Sequence, residues 1–243
     1  MDDDAAVSGQ RKHSPSLMSA LDRRLIAQVV PVVPQSIRSH HLTLLTLLWS
    51  VLILACDALA VKNRAWLFAV SLFVAIQYVT DAIDGKLGVR RGDGLLRWGF
   101  YMDHLLDYVF LCSVLLGYGL LVPPGLQWLM MAILVVAVGF MVSSFLACAV
   151  EGDLGISYLR LGPVEIRLLF IGINAWLGFG GRAPLATVLP VVLTVSLVAL
   201  CCFVSGSQRR LRRLDTRDST IGIANQQSTL RESSIAHRHS VTI

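Results

Sequence analysis

The chain has 243 residues, of which 55% are hydrophobic and only 15% charged, with a mean hydropathy of +0.65. A soluble domain of this size needs a charged shell that so few ionisable residues cannot supply, which excludes a water-soluble enzyme and indicates an integral membrane protein. The formal charge of +5 does not indicate nucleic-acid binding, because the basic residues cluster by membrane side.

The first residues, MDDDAAVSGQRKH, are polar and lack an apolar core, so no cleavable signal peptide is expected and the first span acts as its own insertion signal. Residues 17–30, LMSALDRRLIAQVV, place Leu17, Leu21, Leu25 and Val29 on one helical face. That pattern predicts an amphipathic helix lying on the cytoplasmic leaflet, within an N-terminal segment 1–41.

Apolar runs of spanning length occur at about 42–61, 65–86, 96–122, 126–150, 163–181 and 184–204. The fifth is short. Lys62-Asn63-Arg64, the glycine-rich basic stretch 88–94, Pro123-Pro124-Gly125, the segment 151–162 and the segment 180–184 punctuate them. The expected fold is therefore all-α: a polytopic membrane domain of about six transmembrane helices over 42–204. The tail 205–243, basic at its start and rich in serine and threonine beyond, is expected to be disordered and cytoplasmic. The five cysteines all fall in apolar runs and form no disulfide or metal pattern.

With six spans and both termini on one side, that side carries eighteen of the basic residues, against Lys62, Arg64 and Arg182 on the other. The positive-inside rule then places both termini, and the connection between the second and third spans, in the cytoplasm.

That hairpin holds four aspartates in nearly apolar surroundings: Asp81, Asp84, Asp103 and Asp107. Each charge would cost about 2.5–3.5 kcal/mol at a helix centre. Asp81 and Asp84 are three residues apart and Asp103 and Asp107 four, so each pair shares a helical face. An antiparallel hairpin would bring all four to similar depth. Four carboxylates repel one another unless cations or protons neutralise them. Oxygen-only ligands suit magnesium, manganese or calcium, and four acids can hold two such ions for displacement at phosphorus. The plainer alternative is that the acids only pair with local arginines. Gly85 and Gly99 remove side chains beside the acids, where a bulky ligand could approach, although either could simply be a packing glycine.

Asp81-x2-Asp84-Gly85, Arg90 and Gly99-x3-Asp103-x3-Asp107 resemble the signature D-x2-D-G-x2-A-R-x8-G-x3-D-x3-D of the CDP-alcohol phosphotransferases (CDP-alcohol phosphatidyltransferases). The two ends match without a gap. Between them Gly88 and Val89 stand where Ala and Arg are expected, so Arg90 fits as the family arginine only with one residue inserted after Gly85, and Arg91 is its substitute.

The resemblance implies that Asp81, Asp84 and Asp103 hold two divalent cations, Mg²⁺ or Mn²⁺, on the diphosphate of a CDP-linked donor, with Asp107 at the edge of the second. It implies that Asp107 is also the general base for the acceptor hydroxyl, and that Gly85, Arg90 and Gly99 pack around the nucleotide. A similar Gly-Pro-x-Glu stretch occurs in family members, so Glu165 is expected near the metals or the acceptor. Arg167 is a candidate for an acceptor phosphate or an interface residue. His104 after Asp103 is similar to the "DH" of choline- and ethanolamine-phosphotransferases. Partners implied are a CDP-alcohol donor, a hydroxyl acceptor, the bilayer and a second copy of the chain in a homodimer. Asp57 and Asn174 read as single packing residues. The rival classes are a cation or proton transporter lined by the acids, and a catalytically silent lipid-binding relative.

Overall fold

A computed structural model describes residues 33–34, 37–91, 96–151, 163–180 and 185–240 of the protein. Where α2 ends and α3 begins, side-chain surroundings are described only as far as Gly88, with gaps, and again from Trp98; in the last helix they are described to Thr216. Among the described residues there are helices and no strand. In chain order they are α1 (Ser39–Ala60), α2 (Trp66–Arg91), α3 (Leu96–Leu121), α4 (Gln127–Glu151), α5 (Pro163–Gly180) and α6 (Leu185–Ser240). Only helices or closed barrels satisfy every backbone group inside a bilayer, so the all-helical result follows from the composition.

Five of the six helices are long and apolar enough to cross a membrane. The sixth is α5, the run expected to be short: its 18 residues make about 27 Å at 1.5 Å per residue, against a hydrocarbon core of about 30 Å. Apolar side chains such as Val51, Val135, Val150 and Phe179 stand exposed, as lipid-facing surfaces require.

The ends of the helices have local causes. Asn63 Oδ1 accepts the backbone N–H of Ala65 at 3.0 Å, and its carbonyl accepts that of Trp66, which starts α2. Between α3 and α4, Pro123 and Pro124 cannot continue a helix, and Gly125 takes φ +95°, which favours glycine. Pro163 opens α5, and Glu165 lies in its first turn, where an acid suits the helix dipole.

Two features depart from the sequence boundaries, and one expectation falls outside the described residues. The amphipathic segment at 17–30 lies outside the described residues. α2 stays helical through Arg91, past the expected start of its loop at 88. α6 stays helical to Ser240, with its apolar part ending by Thr216, so no break in secondary structure marks the boundary expected after 204. The stretch beyond 204 contains no proline and many good helix formers, which lets the helix propagate.

α1 is the central element. It packs against both α2 and α3; α2 also packs on α5, α3 on α4, and α4 on α6. The inner face of α1 carries the small polar residues Thr43, Thr46 and Ser50, all buried, which allow close approach. Nearer its end, the buried Asp57 fills the space beside Gly117 of α3, where no Cβ could fit. Ile53, Leu67, Val70, Val74 and Val114 form the apolar centre. Farther from the acids, Tyr118 Oη donates to Asn174 Oδ1 at 2.9 Å, and Asn174 Nδ2 donates to Ser71 Oγ at 3.1 Å, joining α3, α5 and α2.

Among the described residues, α2 and α3, expected as an antiparallel hairpin, are not a close backbone pair; each packs on α1. Their acid-bearing faces cannot press together uncompensated, and a side chain from α5 fills the space between them.

Candidate active site

That side chain is Arg167. The residue is 6% exposed, and its guanidinium reaches an acid on each of the two helices through one terminal nitrogen, Nη2. Nη2 donates to Asp81 Oδ2 at 3.1 Å and to Asp107 Oδ1 at 3.2 Å. The Nε–H donates to Gln77 Oε1 at 2.9 Å, and the ring centroids of Phe110 and Tyr78 lie 5.2 and 5.7 Å from Cζ. A charge-assisted bond to each carboxylate, a neutral anchor and two aromatic faces together hold a buried cation in place.

The remaining acids have different partners. Asp84 is buried, and its Oδ2 accepts the hydroxyl of Thr43 from α1 at 2.7 Å, while its backbone carbonyl accepts Ser39 Oγ at 3.1 Å. Asp103 is 46% exposed, with His104 Nδ1 3.8 Å away. His104 donates Nδ1–H to the Phe100 carbonyl at 2.7 Å and sits between the rings of Phe100 and Phe145. Asp81 interacts electrostatically with Asp84, Asp103 and Asp107, and Asp103 with Asp107. The four acids therefore share one region. Among the described residues, however, no three His, Cys, Asp or Glu side chains close into a ready ligand set.

Gly99 lies on the first turn of α3, and a Cβ added there would meet nothing within 4 Å, so the space beside it is open. Gly85, Arg90 and Arg91 lie on the last turns of α2, and their surroundings fall outside the described residues. Gly88, the departure from the family pattern, lies close to Ser39: a Cβ would stand 3.2 Å from its hydroxyl. Glu165 is separate from Arg167's contacts, with both carboxylate oxygens buried and without a hydrogen-bond partner.

Sequence reasoning missed Thr43 and Gln77. Gln77 carried a signal, because a polar residue four before Asp81 falls on the same helical face. Thr43 carried none; its pairing with Asp84 crosses 41 residues. Among the described residues, Arg167, which pairs with Asp81 and Asp107, also comes from a distant helix.

Among the described residues the donor set fits hard divalent cations, since the four carboxylates offer oxygen alone. A family model described as CDP-alcohol phosphatidyltransferase matches residues 37–204, a stretch running from the approach to α1 into α6. The chain belongs to the CDP-alcohol phosphatidyltransferase family. Membership carries a phosphotransferase activity of lipid synthesis, with a CDP-alcohol donor and a hydroxyl acceptor, in a membrane-embedded protein. No curated protein and no solved structure matches the chain.

Proposed function

We propose that the protein transfers a phosphatidyl or phospho-alcohol group from a CDP-alcohol to a hydroxyl acceptor, releasing CMP, with two divalent cations, Mg²⁺ or Mn²⁺. Asp81, Asp84, Asp103 and Asp107 are the residues that would hold the cations. Bound there, such ions would stabilise negative charge on the diphosphate and on departing CMP. What supports this reading is the convergence of Asp81 from α2 and Asp107 from α3 on one nitrogen of Arg167, which places acids of two helices around one small volume.

The chain's own residues divide the remaining work. Asp107 accepts the proton of the acceptor hydroxyl as its oxygen forms a bond to the donor phosphorus and the bond from that phosphorus to the CMP oxygen breaks. The open side of Gly99, with Gly85, gives the nucleotide access to backbone, and Arg90 or Arg91 pairs with its phosphates. Arg167 and Glu165 lie toward the acceptor. Thr43 holds the Asp84 carboxylate in orientation.

The eighteen-to-three distribution of basic residues supports a site opening to the cytoplasm with both termini there, where a nucleotide is available. A homodimer is proposed from the family alone. The test is purified protein in nanodiscs with Mg²⁺ or Mn²⁺ and a panel of CDP-alcohols and acceptors. CMP release that a chelator stops is expected, and Asp107→Asn should abolish turnover while retaining most Mn²⁺ binding. Absence of CMP release across the whole panel would remove the proposal, and cation uptake by vesicles would replace it with transport.

A further inference from the structure

Arg167 stands in the volume between Asp81 and Asp107, two of the carboxylates assigned above to cations. One positive charge is shared by two carboxylates, so a divalent ion that binds those oxygens competes with it for their charge. A displaced guanidinium in a buried place needs another anion, and a phosphate group meets its forked donors as well as a carboxylate does. Resting on the metal-dependent reading, we propose that Arg167 is an exchangeable counter-ion. It holds Asp81 and Asp107 while the site is free of phosphate, and re-pairs with a phosphate-bearing ligand when cations take the carboxylates.

The anchoring suits a change of partner without a swing of the side chain. Gln77 fixes Nε, the rings of Phe110 and Tyr78 lie near Cζ, and both acids are met by the single nitrogen Nη2. The head group can keep its bed while Nη2 exchanges a carboxylate oxygen for a phosphate oxygen. Because Arg167 comes from α5 and the acids from α2 and α3, the exchange also changes how three helices are tied together. Cation binding and phosphate binding are then coupled through one residue, and the coupling acts equally in both directions.

The measurement is Mn²⁺ affinity from the spin-resonance signal of free Mn²⁺, on the full chain in nanodiscs without nucleotide. Wild type is compared with Arg167→Gln and Arg167→Lys. Removing the competing cation should tighten Mn²⁺ binding by about tenfold in Arg167→Gln, with Arg167→Lys between it and wild type. Inorganic phosphate should tighten Mn²⁺ binding to wild type and leave Arg167→Gln unchanged. A merely structural arginine predicts the opposite sign, since its loss would loosen the site and weaken the metal. Equal or weaker Mn²⁺ binding in Arg167→Gln overturns the exchange and leaves metal dependence standing. No Mn²⁺ binding by any of the three proteins overturns the metal-dependent reading and the exchange with it. If Arg167→Gln does not fold, Arg167→Lys decides: Mn²⁺ affinity tightened several-fold supports the exchange, and wild-type affinity overturns it.

Discussion

Asp84 is held by a neutral hydroxyl, Thr43 Oγ1 at 2.7 Å, in a buried position on the central helix. A buried acceptor stripped of its donor costs about 1–3 kcal/mol, more when it is charged. Thr43→Val keeps the shape and removes the hydroxyl, so it should lower stability by that order, seen as a lower melting temperature, and reduce CMP release; unchanged activity would detach Thr43 from the site. Asp57 is the opposite case. It is 0% exposed and both its oxygens lack a partner, which makes it a burden at the α1–α3 contact rather than a support. Asparagine keeps the outline and size and removes the ionisable group. Asp57→Asn is therefore expected to raise stability by about 1–3 kcal/mol, seen as a higher melting temperature, and leave CMP release intact, because a buried carboxylate without a partner costs more than a buried amide. Lost turnover in a folded Asp57→Asn protein would show that the acid has work beyond packing. At this scale the sequence made the four aspartates conspicuous, because charge stands out in an apolar run. It left Thr43 and the reach of Arg167 hidden, because both pairings span distant helices.

The helices themselves were legible wherever a chemical stop was written into the chain, as at Asn63, at Pro123 to Gly125 and at Pro163. Which helix neighbours which was not legible, since an apolar face packs on any other apolar face; the central place of α1 follows from its small polar residues, which allow close approach. The unbroken run of α2 to Arg91 bears on the family arginine. At about 100° per residue, Arg91 comes round to within about 20° of the Asp84 face, whereas Arg90 is turned about 120° from it. An inserted residue in a continuous helix rotates everything after it, so the residue that aligns best by spacing need not lie on the useful face. Arg91→Ala should therefore raise KM for the CDP-alcohol more than Arg90→Ala does. A larger effect at Arg90 would mean that the end of α2 rewinds when the donor binds.

Across the whole molecule, the acids and Arg167 draw on α2, α3 and α5, and α1 supplies Thr43, while α6 packs on α4 away from them. The family match also ends at residue 204, with more than thirty residues of α6 still to come. Those residues carry Arg209, Arg210, Arg212 and Arg213 just past the apolar run. Such a cluster fixes the direction of the last span and is attracted to anionic head groups. The two parts of the extension should separate cleanly. A chain stopped after Thr216 keeps the four arginines and should retain CMP release, because the acids and Arg167 are held by α1, α2, α3 and α5. A chain stopped after Ser205 loses them, and its last span should insert with mixed orientation, read by labelling of an introduced cysteine from each side of the membrane. Loss of CMP release in the first truncation, with the helices still inserted and folded, would mean that the far end of α6 acts on the site directly.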